Sequence, residues 1–573
     1  MKHLFSCLKT YRKEAILSPL FKLCEAIMEL LVPLVVAQIV DCGIASSDVG
    51  YILSRCAILV AFGAAGLAFA LTAQFFAAKA AVGASSELRR RLFSKLQSMS
   101  YTSIDEMGTA TMITRMTSDV NQVQTGVNMT LRLLLRSPFI VFGAMIMAFT
   151  VDRVSALVFV GLIPLLAVIV VGIMLVCIPM YKKVQSKMDG VYLATRENLA
   201  GVRVVRAFCK EKDEVASFKA HSAALRREQK RVGRISAISN PLTYALVNLA
   251  AVLLVWVGAH RVDGGILLQG SVVALYSYLT LILVELIKLA NLIFTVSKAI
   301  SCEKRIEVVL DCEGEAQTLA PESGSVEKDA PKICFENVTF SYRGGGEPAL
   351  HDITFSAAPG ETVGILGGTG SGKTTLVNLL PRFYAADSGT VRLDGVDVKS
   401  IPAQTLRKRV GIVPQKAVLF QGTIRSNLLW GDSEASEETL ARAVSIAQAT
   451  DVVAAKGGLD APVEQEGKNF SGGQRQRLTI ARALVREPEV LVLDDSSSAL
   501  DYATDARLRE ALKSLGSTVL IVSQRTASVR HADKIVVLDD GCVVGIGTHE
   551  QLMASCALYR EIAASQEEEA LHG

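Results

Sequence analysis

One stretch of this sequence constrains the fold more than any other. It fits the pattern G-x-x-x-x-G-K-[ST] without a mismatch and comprises Gly367, Gly368, Thr369, Gly370, Ser371, Gly372, Lys373, Thr374 and Thr375. The apolar segment Thr362–Leu366 before it predicts a strand, and Leu376–Leu380 after it predicts a helix that Pro381 ends. Glycines there let backbone N–H groups turn toward an anion, and the helix N-terminus adds partial positive charge. The stretch therefore predicts a phosphate cradle, with a plain glycine-rich turn as the alternative. In such a cradle Lys373 can reach nucleotide phosphates and the Thr374 hydroxyl can ligate Mg²⁺.

Length and composition divide the chain into more than one domain. The chain of 573 residues is longer than a typical single domain, and half of its residues are apolar. The net charge is only +4 and the basic residues lie between apolar spans, so nucleic-acid binding has no support. The eleven cysteines are scattered without C-x-x-C pairs, which indicates reduced packing residues rather than a metal or disulfide framework. We expect a membrane half and a soluble half.

The first half carries six apolar spans of roughly membrane length. Each of the four clearest has no Lys, Arg, Asp or Glu and can cross about 30 Å of hydrocarbon: Cys56–Ala78, Val154–Tyr181, Ile235–His260 and Gly264–Val284. The first span, Ala15–Val40, contains Lys22, Glu25 and Glu29, and the third, Ser137–Val151, is short unless it extends back through Leu133. These spans predict an all-α domain of six helices in a lipid bilayer.

Charge in the connections predicts the orientation. The loops 79–136 and 182–234 are rich in Lys and Arg, so we expect them, and both termini, on the cytosolic side. Both loops have helical spacing, with interruptions near Tyr101–Thr111 and Asn198–Phe208 where a helical hairpin could turn and touch a soluble partner. A plain amphipathic hairpin is an equally good interpretation.

The second half begins after a linker rich in Glu, Pro, Ser and Gly. The composition predicts a membrane domain at 1–310, a linker at 311–332 and a soluble domain at 333–573. Strands then alternate with helices, which predicts an α/β nucleotide-binding domain. The predicted strands are Ile333–Phe340, Thr362–Leu366, Gly389–Leu393, Val410–Val413, Val490–Leu493, Thr518–Val522 and Ile535–Leu538.

A second cluster of motifs carries a family resemblance. The run Phe470-Ser471-Gly472-Gly473-Gln474 precedes the apolar strand Val490–Leu493, which ends in Asp494 and Asp495. With the phosphate loop, this order resembles the ATP-binding-cassette (ABC) ATPases. Six spans followed by one cassette resemble a type IV ABC exporter half-transporter over the whole chain. The resemblance implies ATP and Mg²⁺ as cofactors, and a second half-transporter as partner.

The resemblance also implies roles for individual residues. Tyr342 would stack on adenine, Gln415 would contact Mg²⁺ from the Q-loop, and Asp494 would hold Mg²⁺ as the Walker B carboxylate. The signature residues Ser471, Gly472, Gly473 and Gln474 would close on ATP held by the other cassette, so that each nucleotide lies between two chains.

Two catalytic positions depart from the family pattern. Asp495 stands where active cassettes have Glu, and Gln524 stands where they have the switch histidine. A carboxylate withdrawn by about 1 Å can cost on the order of 10²-fold in rate, and a lost charge-stabilising donor about 10²–10³. We therefore expect slow hydrolysis at this chain's own half-site, and a heterodimer in which a partner supplies the active residues. The alternatives are an Asp495 that still positions water, and a homodimer.

Substrate is less constrained than mechanism. Small residues and few charges in the spans favour a cavity for amphipathic molecules such as drugs, lipids or peptides. Two charged groups, one at Lys22, Glu25 and Glu29 and one at Glu285 and Lys288, favour local helix pairing or headgroup contact over substrate binding. ATP-driven export is the leading function, and an ATP-gated channel or regulatory membrane ATPase subunit is the alternative.

Overall fold

The computed structural model describes residues 2–312, 314–315, 330–496 and 498–572. Most of the predicted linker, 311–332, lies outside the described residues. The chain forms two compact units, Met1–Gln97 with Ala110–Asp311, and Ser98–Thr109 with Cys312–Gly573. We call the first the helical unit and the second the cassette unit.

The first part of the chain is helical throughout. Its helices are α1 Lys2–Lys9, α2 Arg12–Gln38, α3 Val49–Gln97, α4 Tyr101–Met107, α5 Thr109–Thr114, α6 Val120–Leu133, α7 Arg136–Val151, α8 Arg153–Ala200, α9 Val202–Ala207, α10 Glu211–Asp263 and α11 Gln269–Asp311, with π-helical turns at Ile39–Ile44 and Arg115–Asp119. Both predicted interruptions carry a short helix, α4 and α9. Helix α4 and the first residue of α5 belong to the cassette unit. The other helices of this part of the chain belong to the helical unit.

Five stretches among the described residues are long and apolar enough to cross a bilayer, and Arg153–Ile169 within α8 is a shorter apolar stretch. The third span is divided, because α6 ends at Leu133 and α7 begins at Arg136 after a two-residue turn. The last span was predicted to begin at Gly264, which is wrong. Gly264 and Gly265 instead end α10 through hydrogen bonds to His260 and Val262 carbonyls, and α11 begins at Gln269.

The core of the helical unit forms around α11. This helix packs against α2, α6 and α7, and the buried Tyr278 on it donates a hydrogen bond of 2.8 Å to the Leu30 carbonyl of α2. A phenol hydroxyl removed from water needs such an acceptor, because an unpaired buried donor is costly. The bond therefore fixes α2 against α11.

The cassette unit is an α/β domain, as predicted. Its strands are β1 Ile333–Phe340, β2 Leu350–Ala357, β3 Thr362–Gly367, β4 Ser388–Leu393, β5 Val396–Asp397, β6 Val410–Val413, β7 Gly422–Thr423, β8 Pro462–Val463, β9 Val490–Asp494, β10 Thr518–Ser523, β11 Lys534–Asp539 and β12 Cys542–Gly547. Besides α4, its helices are α12 Lys373–Leu379, α13 Ala403–Arg409, α14 Ile424–Leu428, α15 Glu437–Ile446, α16 Thr450–Lys456, α17 Gly472–Leu484, α18 Tyr502–Lys513, α19 Thr526–Val529, α20 His549–Ser555 and α21 Ala557–His572, with a 3₁₀ turn at Gln465–Gly467.

Three sheets organise these strands. The largest has the order β12-β11-β3-β10-β9-β6 and is parallel except at β12, whereas a second has the antiparallel order β2-β1-β4-β5 and β7 pairs with β8. The central strands are buried on both faces, as in β9 and β10, where every residue is buried. Such continuous apolar strands are typical of a parallel sheet covered on both sides.

Candidate functional site

The sheet order brings the predicted nucleotide-binding residues together. Strands β3, β10, β9 and β6 are parallel neighbours, so their carboxyl ends lie at one edge. Gly367 ends β3, Asp494 ends β9, Gln524 follows β10, and Gln415 lies two residues after β6. Ligands of open α/β sheets bind at this edge. The topology therefore assembles one site from four separate parts of the sequence.

The loop after β3 has the backbone of an anion cradle. Gly372 has φ 91° at the N-cap of α12, a left-handed conformation that favours glycine. A Cβ there would lie 2.8 Å from the Ala349 carbonyl oxygen and 2.8 Å from Leu350 Cδ2. Gly370 has φ 86°, with open space beside it. A side chain at 372 would therefore displace the loop.

Lys373 lies inside this loop. Its Nζ donates hydrogen bonds to the carbonyl oxygens of Gly367 at 2.9 Å and Gly368 at 2.5 Å, and to Ser371 Oγ at 3.2 Å. Burial lowers the pKa of the ammonium, while the charges of Asp495 and Asp494 oppose that shift. The ammonium group of Lys373 therefore donates to neutral oxygens in this loop. Phosphate oxygens of a bound nucleotide could replace these oxygens as its hydrogen-bond acceptors.

Thr374 and Asp494 form the candidate Mg²⁺ site. The Thr374 hydroxyl donates to Asp494 Oδ1 at 3.1 Å, and Asp494 is only 4% exposed. Burial raises the pKa of Asp494 and the hydrogen bond from Thr374 opposes the shift. Among the described residues no group of three or more His, Cys, Asp and Glu could hold a metal. A hydroxyl and one carboxylate fit Mg²⁺, which takes its remaining ligands from water and phosphate.

The two positions that depart from the family pattern, Asp495 and Gln524, lie at the same edge of the sheet. Asp495 has φ 46°, and its Oδ2 accepts a hydrogen bond of 3.4 Å from Gln415 Nε2. Gln524 Oε1 accepts a hydrogen bond of 3.3 Å from the Thr369 hydroxyl of the phosphate loop. The side chains of both positions therefore contact residues assigned to nucleotide binding.

The loop that carries Gln524 is held by the last helix. Gln566 of α21 donates to the Gln524 carbonyl oxygen at 2.7 Å, and its Oε1 accepts from the Thr526 N–H at 2.8 Å and from the Thr526 hydroxyl at 2.9 Å. Sequence reasoning missed Gln566, because no local pattern indicates a contact 42 positions away.

The signature run begins α17. Ser471 is the N-cap, and its hydroxyl accepts from the Gln474 N–H while Gln474 Oε1 accepts from the Ser471 N–H at 3.0 Å. An added Cβ at Gly472 would meet no atom within 4 Å, whereas one at Gly473 would lie 2.8 Å from the Ala499 carbonyl oxygen. Gly472 therefore faces open space in this chain, and Gly473 is required by the fold.

Tyr342 lies just after β1, not within a strand. Its hydroxyl is 3.0 Å from Thr375 Oγ1, and its ring packs edge-on against Phe340 and Tyr384. Tyr342 is 39% exposed, so part of the residue is accessible to a ligand. Tyr384 was not predicted as a site residue, since two adjacent aromatics, Phe383 and Tyr384, between a helix and a strand carry no distinctive pattern.

The two charged groups of the helical unit form one cluster. Arg136 at the start of α7 joins them, through Glu285 Oε1 at 2.5 Å and Glu29 Oε2 at 2.6 Å. The cluster consists of Lys22, Glu25, Glu29, Arg136, Glu285 and Lys288. It carries three positive and three negative groups, so the carboxylates are balanced within it. The contacts show the helix pairing that the sequence favoured. Sequence reasoning missed Arg136, which joins the two groups.

Comparison with known proteins agrees with this architecture. The family profile described as ABC transporter transmembrane region matches residues 15–286, and the profile described as ABC transporter matches residues 350–498. An uncharacterised ABC transporter ATP-binding protein of Bacillus subtilis, YfiB, is 34% identical over 99% of this chain and 98% of its own. An ATP-dependent lipid A-core flippase of Pseudomonas fluorescens is 33% identical over 86% of this chain and 82% of its own.

The fold also matches a solved structure. A bacterial Atm1-family ABC exporter with ATP bound superposes with a TM-score of 0.81, 23% identity and coverage of 97% of this chain and 98% of that chain. The predicted fold class, a helical transmembrane domain followed by an α/β nucleotide-binding domain, is confirmed. The chain belongs to the ABC transporter family, with the layout of a type IV exporter half-transporter.

Proposed function

We propose that this chain is one half of a dimeric exporter that uses ATP to move amphipathic small molecules across the cytoplasmic membrane. Its termini and cassette unit would lie in the cytosol. The observation that carries the proposal is the convergence of Lys373, Thr374 and Asp494 at one sheet edge, in a chain with membrane-length helices. The predicted domains, 1–310 and 333–573, would divide transport from ATP use.

Each residue of the site has a part in nucleotide binding. The N–H groups of the loop from Gly367 to Thr375 would surround the phosphates, Lys373 would pair with them, and Tyr342 would hold the base by stacking. Thr374, Asp494 and Gln415 would hold Mg²⁺, which when bound neutralises phosphate charge. These contacts favour bound ATP without requiring rapid hydrolysis.

Slow hydrolysis at this chain's half-site is the second part of the proposal. Asp495 already engages Gln415 at 3.4 Å, and its side chain is one methylene shorter than the glutamate that the family uses. Gln524 is an amide that cannot become a cation. Two such losses around one γ-phosphate would each cost about 10²-fold or more in rate. The half-site would therefore hold ATP through many cycles.

The other composite site would be active. The signature of this chain is intact from Ser471 to Gln474 and capped as a regular helix start, with open space at Gly472. It would complete a site whose Walker residues, glutamate and histidine come from a second half-transporter. This favours a heterodimer, because a homodimer would contain two slow sites.

The substrate proposal remains at the level of chemical class. A lipid A-core flippase among the relatives is named for an amphipathic lipid, and the helical unit has long apolar helices. Both observations support an amphipathic substrate.

The test is ATP-dependent transport by the assembled dimer in inside-out vesicles, with the cationic amphiphile Hoechst 33342 and a fluorescent phospholipid as probes. We expect ATP-dependent movement of at least one probe, abolished by the signature substitution Gly472→Asp. A passive current that needs only ATP binding, with no probe movement, would contradict export and favour a channel.

A further inference from the structure

The segment Ser98–Thr109 joins two helices of the helical unit but folds with the cassette unit. Its Tyr101 ring stacks on Phe383 with centroids 4.5 Å apart. The Ser98 carbonyl oxygen accepts a hydrogen bond of 2.8 Å from the Glu315 N–H. The segment therefore has a defined position among the residues that follow the phosphate-loop helix α12.

One hydrogen bond in this contact involves a charged acceptor. The Tyr384 hydroxyl donates to Asp105 Oδ2 of α4 at 2.5 Å. Burial and the neighbouring Asp105 carboxylate raise the pKa of Tyr384, so the phenol remains a donor throughout the physiological range. A hydrogen bond to an ionised acceptor is about twice as strong as a neutral one. Tyr384 thus holds α4 more firmly than packing alone would.

The same tyrosine touches the residue assigned to the nucleotide base. The rings of Tyr342 and Tyr384 meet edge-on with centroids 5.4 Å apart, and the Tyr342 hydroxyl is 3.0 Å from Thr375 Oγ1. A continuous series of contacts therefore runs from Thr375 in the phosphate loop through Tyr342 and Tyr384 to Asp105.

The packing leaves these rings room to respond. A cavity of about 570 Å³ is lined by Tyr342, Tyr384, Asp105 and Thr102, among others. Its walls include three members of the contact series, Tyr342, Tyr384 and Asp105. A base stacked on Tyr342 would fix that ring, and the Tyr384 ring that touches its edge would lose freedom with it.

We propose that Tyr384 is a positioning residue that transmits occupancy of the base site at Tyr342 to the segment Ser98–Thr109 through its hydrogen bond to Asp105. The inference rests on the proposed binding of ATP at this chain's own half-site. A bound base would order the segment Ser98–Thr109, which continues covalently into α3 and α5. This ordering needs no hydrolysis, so a slow site could still have a function.

The test is hydrogen exchange of backbone amides 101–107 in the assembled dimer, with MgATP and with magnesium tripolyphosphate. Tripolyphosphate offers the phosphates without the base, so it should protect the loop 367–375 but leave 101–107 unchanged. MgATP should protect both, with exchange in 101–107 slowed about threefold or more.

Isosteric variants separate the hydrogen bond from packing. Tyr384→Phe keeps the ring and should lose at least half of the response of 101–107 while loop protection stays intact. Asp105→Ala should match it, the double variant should be no worse than either, and Asp105→Asn, which keeps an acceptor oxygen, should retain the response.

Each other result decides against a specific claim. Equal effects of ATP and tripolyphosphate on 101–107, or a full response in Tyr384→Phe, would overturn the inference alone. Failure of MgATP to protect 367–375 would overturn the proposed ATP binding and the inference together.

Discussion

Substitution of Gly472 tests the signature of this chain against its own Walker half-site. Gly472→Asp places a carboxylate at the first residue of α17, where an added Cβ meets no atom of the chain within 4 Å. The chain itself should therefore fold normally. The new charge would face the γ-phosphate held by the partner cassette once the two cassettes close.

The expected effect follows from electrostatics. Two unit charges about 4 Å apart interact with about 4 kcal/mol at an effective dielectric of about 20. That energy corresponds to about 10³-fold in rate if it acts on the closed state in which hydrolysis occurs. We therefore expect both ATPase and transport of the assembled dimer to fall by about 10²–10³, since screening and adjustment of the side chain reduce the full value.

The assay is steady-state phosphate release by the dimer in lipid nanodiscs, with three matched variants. Gly472→Asn has nearly the same volume without the charge, so its loss of rate should be clearly smaller. Gly473→Ala should instead lower thermal stability, because its Cβ would lie 2.8 Å from the Ala499 carbonyl oxygen. Asp495→Asn should change turnover less than about threefold if, as proposed, that half-site contributes little chemistry.

The reasoning fails if Asp495→Asn abolishes ATPase as completely as Gly472→Asp. Asp495 would then be a working catalytic base, and the assignment of a slow half-site would be wrong. Equal losses in Gly472→Asp and Gly472→Asn would show that volume rather than charge causes the defect.

Four further predictions address binding, assembly and stability. Lys373→Ala should weaken ATP binding at this half-site about tenfold or more, measured with a fluorescent ATP analogue, because it removes a phosphate-binding cation; unchanged affinity would contradict the assignment. The purified chain without its partner should hydrolyse ATP slowly, and turnover of tens per second, about the rate of a typical enzyme, would exclude the heterodimer. Arg136→Ala should lower the free energy of unfolding of the helical unit by about 3 kcal/mol or more and Arg136→Lys by less, since the change to Ala removes the arginine partner of the buried Glu285 carboxylate; equal stability would show that the ion pairs are dispensable. Mg²⁺ binding should weaken as pH falls through the pKa of Asp494, which burial raises above its ordinary value, so the loss begins at a higher pH than for an ordinary aspartate; the same pH profile in Asp494→Asn would refute this cause.

The sequence predicted the parts of the fold that have local signals. Strand β3, the phosphate loop and α12 follow one another as expected, and β1 and β6 have the predicted bounds. Strand β2 was missed because Asp352 has φ 45° and the pairing with β1 shifts register nearby, which interrupts the alternation of side chains. Strand β12 was missed because glycines at 545 and 547 weaken its apolar pattern.

Long-range contacts were beyond the reach of the sequence. The hydrogen bond from Tyr384 to Asp105 joins residues 279 positions apart, and the link from Arg136 to Glu285 spans 149. No periodicity encodes such partners, because they depend on how complete elements pack. The roles of Asp495 and Gln524 could be proposed only because departures from a family pattern are visible at single positions.

Hydrolysis resolved by site tests the central claim most directly. The assembled dimer would be loaded with two equivalents of γ-labelled ATP and followed through a single turnover. We predict two phases of equal amplitude, one equivalent hydrolysed rapidly and the other at least about 10²-fold more slowly. Hydrolysis of both equivalents in one rapid phase would contradict a slow half-site in this chain.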